Sequence, residues 1–164
     1  MKKPNPSSLD AQAGSRAILD SLRRLVRGLR LYARHCETQL GLSAAQLFAL
    51  RQVHESGPLS LQELAQATLT DLSSVSVVAE RLRAKGLLDR RRAVQDRRRA
   101  ELSVTAAGQA LVQRSPDPLQ ARLLRSLKAL PAARRRALQA DLAHLVHDAG
   151  LDGQAARLFF EDEP

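Results

Sequence analysis

At 164 residues the chain suits one compact domain that needs neither metal nor disulfide to fold, and its single cysteine excludes an intramolecular bridge. Leu, Ala and Arg dominate while aromatics make up 2%, a mixture that favours helices and disfavours β-sandwiches. The formal charge is +9, and eight basic against two acidic side chains place +6 of it in residues 83–99, a crowding that asks for a polyanion.

Nucleic acid is preferred to a membrane as that polyanion. Gly86 and the turn-like Gln95-Asp96 interrupt the cluster, so no amphipathic membrane helix coincides with it. No run approaches the roughly 20 apolar residues of a bilayer span. Met1–Ser15 lacks the apolar stretch of a signal peptide, and a cytoplasmic protein is expected.

In chain order, residues 1–14 are expected to form a loose tail. From about Ser15 to Leu40, Leu22, Leu25, Val26, Leu29, Tyr32, Cys36 and Leu40 recur at helical spacing, with Arg23, Arg27, Arg30 and Arg34 on another face and Gly41 as the stop. Ser43 with Gln46 makes a capping box for the next helix, which runs to Gly57-Pro58; Ser60 with Glu63 repeats the device for a short helix ending near Thr68. Thr70 or Asp71 caps a fourth helix whose apolar side is Val75, Val78, Ala79 and Leu82, closed by Gly86. Strand-like segments Leu88–Ala93 and Ala100–Val104 flank a charged turn. Thr105 caps a long leucine-striped helix that Pro116 and Pro118 must kink or interrupt. Pro131 fits the first turn of a final helix carrying Leu138, Leu142, Leu145 and Val146, stopped by Gly150, and residues 151–164 form an amphiphilic C-terminal tail. The fold class is therefore mainly α with a small β-hairpin.

Two helices joined by a tight turn, Leu61–Thr68 and Asp71–Lys85, have the length and spacing of a helix-turn-helix. The second opens on Leu72-Ser73-Ser74-Val75-Ser76-Val77, small enough to approach base edges. Ser73, Ser74 and Ser76 can hydrogen-bond to bases or phosphates, and Val77 can pack on a thymine methyl. The basic hairpin behind it would be a wing, with long arginines able to enter the adjacent minor groove.

Here the chain resembles the MarR family of bacterial winged-helix regulators. The resemblance is carried by Leu42-Ser43-Ala44-Ala45-Gln46, Leu61-Gln62-Glu63-Leu64-Ala65, Ser73-Ser74-Val75-Ser76, Leu82 with Lys85-Gly86-Leu87-Leu88, and above all Asp96-Arg97-Arg98-Arg99 leading into Leu102-Ser103-Val104-Thr105 and Gly108. It implies a winged helix-turn-helix over 43–104 and dimerisation helices at 15–40 and 105–150, together one domain over 15–150. It further implies a homodimeric transcriptional repressor of double-stranded DNA, acting on a near-palindromic operator and relieved by a small-molecule effector. Arg98 would enter the minor groove, Asp96 would orient it, and Arg81 would meet a phosphate. Arg90, Arg91, Arg92, Arg97 and Arg99 complete the expected DNA-binding set. Val77 departs from the family, many of whose members place a polar or basic residue there. Tyr32 and Phe48 are the candidates for an effector pocket, with core packing as the alternative for both.

Other chemistry is disfavoured. Cys36 sits on the apolar stripe and is expected to be a buried, inert thiol rather than a redox sensor. His144 with Asp141 and Asp148 shares a helical face, where i,i+3 and i,i+4 contacts are expected before metal binding, and His147 lies off that face. The run Arg134-Arg135-Arg136 is expected to be a solvated face. No phosphate-binding glycine loop, nucleophile–base pair or paired carboxylates appear, so neither an enzyme nor a cofactor is expected. The alternative from another class is a protein–protein adaptor that uses the winged fold without DNA.

Overall fold

The computed structural model describes the backbone of residues 6–92 and 100–154, and the side chains of 12–91 and 100–154. Its order is α1 (Pro6–Leu40), α2 (Ala44–Ser56), α3 (Leu61–Thr68), α4 (Leu72–Ala84), β1 (Leu88–Arg92), β2 (Ala100–Val104), α5 (Ala106–Arg114), α6 (Leu119–Ala129) and α7 (Ala132–Asp148). The mainly helical class with a two-stranded antiparallel ribbon is as the sequence implies.

Local signals set most boundaries. The Ser43/Gln46 and Ser60/Glu63 capping boxes both close reciprocally at the starts of α2 and α3. Asp71, not Thr70, caps α4, and Thr105 caps α5. Gly41, Gly57, Gly86 and Gly150 each take a positive φ at a helix end.

One expectation needs correction. The N-terminal segment is not a loose tail from residue 6 onward: α1 starts at Pro6 and carries Gly14 inside it. Proline is tolerated in a first helical turn, and Leu9, Ala11, Gln12 and Ala13 are helix formers that carry the helix through. Of the kink or interruption expected in the helix after Thr105, the structure has the interruption. Pro116 and Pro118 lack the N–H groups that would continue α5, so residues 115–118 separate it from α6.

The core gathers the C-terminal half of α1 (Ala33, Cys36), most of α2, Leu64 of α3, Val75, Val78, Ala79 and Leu82 of α4, Leu88 and Leu102 of the ribbon, Leu111 and Val112 of α5, and Ala121 of α6. Burial of the α4 apolar side matches the expected stripe. The ribbon pairs Leu88 with Val104 through Arg92 with Ala100. Leu59 extends it by one bridge, exchanging hydrogen bonds of 3.1 and 2.7 Å with Leu102. Thus the α2–α3 connection forms a rudimentary third strand that anchors the ribbon to the helical lobe.

The remaining helices are incompletely covered. Ile18, Leu22 and Leu25 of α1 are exposed, whereas Leu29 further along the same stripe is buried. α7 buries none of its 17 residues, and Leu138, Leu142, Leu145 and Val146 stand in solvent. Among the described residues no helix is long and apolar enough to cross a membrane.

Candidate nucleic-acid interface

α4 and the ribbon are neighbours in the fold: Leu87 follows Gly86 directly into β1, which packs against α4. Lys85 is not part of a free basic patch: its Nζ donates to the Gly41 carbonyl at 2.6 Å and ties the end of α4 to the α1–α2 turn.

The four residues singled out at the start of α4 separate by burial. Ser73 and Val77 are exposed and Ser76 is half-buried. Ser74 is only 5% exposed, and its hydroxyl donates to Asp71 Oδ2 at 2.9 Å while its N–H donates to Oδ1 at 2.8 Å. The expectation that Ser74 faces DNA is therefore corrected; the cap turns it into the lobe. Ser73 also donates its hydroxyl to Asp71. These bonds, that from Ser73 first, hold the Asp71 carboxyl well below the usual carboxylate range. Leu69, Leu72 and Glu80, not among the expected contacts, are exposed as well; Leu69 is a left-handed residue at the end of α3, 68% exposed. A polar-residue criterion for base readers had no means of selecting them.

Arg81 is half-buried, beside a cleft with Glu37, Gly41, Ser43 and Lys85, on the flank of α4 rather than the centre of its exposed side. In the ribbon, strand alternation divides the arginines. Arg90 is exposed opposite Leu102. Arg91 stands opposite Glu101, and its Nε donates to Asp89 Oδ2 at 2.9 Å, which with the Arg90 N–H lowers the Asp89 pKa. Arg91 is thus partly compensated by carboxylates that Arg90 does not meet among the described residues. The Arg92 side chain and Asp96, Arg97, Arg98 and Arg99 lie outside the described residues.

The other candidates fall elsewhere. Phe48 is fully buried in the core, so the expectation that it lines an effector pocket gives way to its core-packing alternative. Tyr32 is half-buried; its hydroxyl lies against the Cys36 thiol, near Arg51 and Asp117, without a hydrogen bond of acceptable geometry. Burial raises the pKa of both the Tyr32 hydroxyl and the Cys36 thiol, which leaves Cys36 a protonated core residue. Arg51, unmarked by the sequence, donates through Nη2 to Ser115 O at 3.1 Å and Pro116 O at 3.4 Å, closing the end of α5, while its Nε has no partner. His144 meets Asp148 at 3.4 Å and His147 meets Asp152 at 2.7 Å, two separate pairs. Arg134–Arg136 are exposed.

A family model described as the MarR family matches residues 42–100, which span α2 through the first residue of β2. Over these residues the chain is similar to the MarR family. It is 37% identical over 68 residues to the HTH-type transcriptional repressor MdtR of Bacillus subtilis (strain 168), a match covering 42% of this chain and less than half, 44%, of MdtR. It is 29% identical over 119 residues to the HTH-type transcriptional repressor NicR of Pseudomonas putida, covering 68% of this chain and 73% of NicR. A solved structure of Bordetella bronchiseptica BpsR, whose DNA binding is regulated by 6-hydroxynicotinic acid, is similar with a TM-score of 0.53 and 27% identity, covering 82% of this chain and 93% of BpsR. The MarR match thus coincides with the lobe in which β1 packs against α4.

Proposed function

We propose that this chain is a transcriptional repressor that binds a near-palindromic duplex operator as a homodimer and leaves it when a small molecule binds. The observation that carries the reading is the packing of β1 against α4: a helix with a small-residue N-terminal end leads directly into an arginine-bearing ribbon. A helix of that kind suits the major groove, and the ribbon suits the adjacent minor groove or its phosphates. Arg98 is assigned to the minor groove, with Asp96 orienting it. The bare stripes of α1 and α7 support dimerisation, since a 17-residue helix that buries no residue against the described residues calls for cover from another copy.

The test is a fluorescence-anisotropy titration against duplexes enriched from a genomic library, repeated at several salt concentrations. With about eight phosphates neutralised, log affinity should fall against log salt with a slope near −7, and Arg98→Ala should weaken binding by about 1–3 kcal/mol. Failure to enrich any duplex would favour the adaptor reading.

For the effector, a small anionic aromatic is the class favoured by the kinship with BpsR. The buried Tyr32 hydroxyl and Arg51 Nε, both without partners where α1 meets α2 and the α5–α6 connection, support a site there. Tyr32→Phe should leave operator affinity intact and reduce release by 6-hydroxynicotinic acid; unaltered release would remove Tyr32 from the site.

A further inference from the structure

The side of α4 turned away from the core carries two exposed apolar side chains where a base-reading helix is usually polar. At about 100° per residue, Leu72, Ser76, Glu80, Ser73 and Val77 share one arc of about 140°. The buried Val75, Val78, Ala79 and Leu82 occupy the other side. From Asp71 to Glu80 there is no Arg, Lys, Asn or Gln, the side chains that make bidentate hydrogen bonds to guanine or adenine. Two of the three serines do not replace them. Ser74 is withdrawn into the cap, and the Ser73 hydroxyl proton is committed to Asp71. Glu80 has both carboxylate oxygens held by Arg83 at 2.8 Å.

What the arc offers instead is Leu72, 52% exposed, and Val77, 44% exposed. Neither belongs to the hydrophobic core, so packing within the chain does not account for them. In the major groove one apolar group is available to meet them, the C5-methyl of thymine. Leu72 begins the helix and Val77 lies a turn and a half further along, so the two sit at opposite margins of the arc and suit different base steps.

We propose that α4 recognises its operator chiefly through thymine methyl groups, contacted by Leu72 and Val77, rather than through hydrogen bonds to purines. This rests on the DNA-binding reading above and specifies its chemistry. Removing a methyl while keeping every hydrogen-bonding group is possible with deoxyuridine, which isolates the claim from all other base contacts.

The experiment takes a duplex enriched from a random pool and resynthesises it with each thymine replaced singly by deoxyuridine. Anisotropy at fixed salt then compares the wild type, Leu72→Ala and Val77→Ala; both residues are exposed, so neither change disturbs the core. Burial of one methyl is worth about 0.8 kcal/mol, so replacement at a contacted thymine should weaken wild-type binding about fourfold, and symmetric replacement in both half-sites about fifteenfold. Each alanine variant should lose that sensitivity at its own thymine and keep it at the other's. Tight, selective binding with no sensitive thymine would overturn the inference and leave DNA binding standing. Sensitivity that both variants retain would also overturn it, because the methyl would then be felt by another part of the protein. If no duplex can be enriched, the DNA-binding reading itself falls, and this inference with it.

Discussion

A Cβ placed on Gly108 would stand 2.3 Å from the Leu87 carbonyl oxygen and 2.7 Å from Val104 Cγ1. The first turn of α5 therefore lies directly over the base of the ribbon, and Thr105 secures it by donating its hydroxyl to the Gly86 carbonyl at 2.7 Å. The obstacle is backbone, so it cannot rotate aside. Gly108→Ala should destabilise the fold by about 1–3 kcal/mol despite alanine's better helix propensity. Gly14→Ala, in α1 with nothing within 4 Å of the new methyl, should instead stabilise by about 0.5–1 kcal/mol. Thermal unfolding of the two variants should shift in opposite directions; equal shifts would contradict the close approach.

The ribbon arginines should not be equivalent. Arg91 is paired with Asp89 and lies opposite Glu101, whereas Arg90 has no carboxylate partner among the described residues. A phosphate contact from Arg91 must compete with those carboxylates, and one from Arg90 need not. Arg90→Ala should therefore reduce the salt slope of operator binding by about 0.9, the contribution of one phosphate, and Arg91→Ala by less. Salt titrations of both variants decide the point, and a larger loss from Arg91→Ala would reverse the assignment.

Legibility in the sequence followed the range of each interaction. The capping boxes of Ser43 and Ser60, the Thr105 cap and the proline break are local, so three or four residues announce them. The alternation of Ala100, Leu102 and Val104 likewise announced a strand. The Leu59–Leu102 bridge and the Lys85–Gly41 tie join residues 43 and 44 positions apart, and nothing in either segment names its partner. Ser74 was misjudged for a related reason: a serine at a helix start is equally suited to a base edge or to a cap, and only Asp71 three residues earlier decides between them. Phe48 suits a core as well as a pocket wall, since apolar periodicity does not distinguish the two.

The uncovered leucines make a prediction about assembly. Leu138, Leu142 and Leu145 are spaced four and three residues apart, as are Ile18, Leu22 and Leu25 in α1, the spacing of a helix-packing seam. A charge there should separate copies without touching the lobe's core, because each of these residues is solvent-exposed in a single chain. Leu22→Asp combined with Leu142→Asp should lower the mass in solution from twice 18.0 kDa to 18.0 kDa while helical circular dichroism persists in the lobe. Operator affinity should drop steeply in parallel, since a monomer reaches one half-site. Light scattering that still reports a dimer would place the interface elsewhere.

The cap of α4 gives a pH dependence whose sign is fixed. Asp71 accepts from the Ser73 hydroxyl and from the N–H and hydroxyl of Ser74, and these bonds favour its charged form. Its folded pKa is therefore below the value near 3.9 of an unfolded chain. A carboxyl shifted in that direction stabilises the fold fully above the unfolded value, and the contribution disappears as pH falls through the depressed folded value. The difference in melting temperature between wild type and Asp71→Ala should thus be constant from pH 7 to about pH 5 and shrink below about pH 4. Asp71→Asn keeps an acceptor for the Ser74 N–H but no charge, so it should recover part of the lost stability and show no such narrowing of its own gap to Asp71→Ala. The same substitution releases Ser74 and loosens the first turn of α4, where Leu72 and Ser73 are presented, so operator affinity should fall with stability in Asp71→Ala. A melting difference that stays level down to pH 3 would show that the carboxylate's charge is not what holds the helix end.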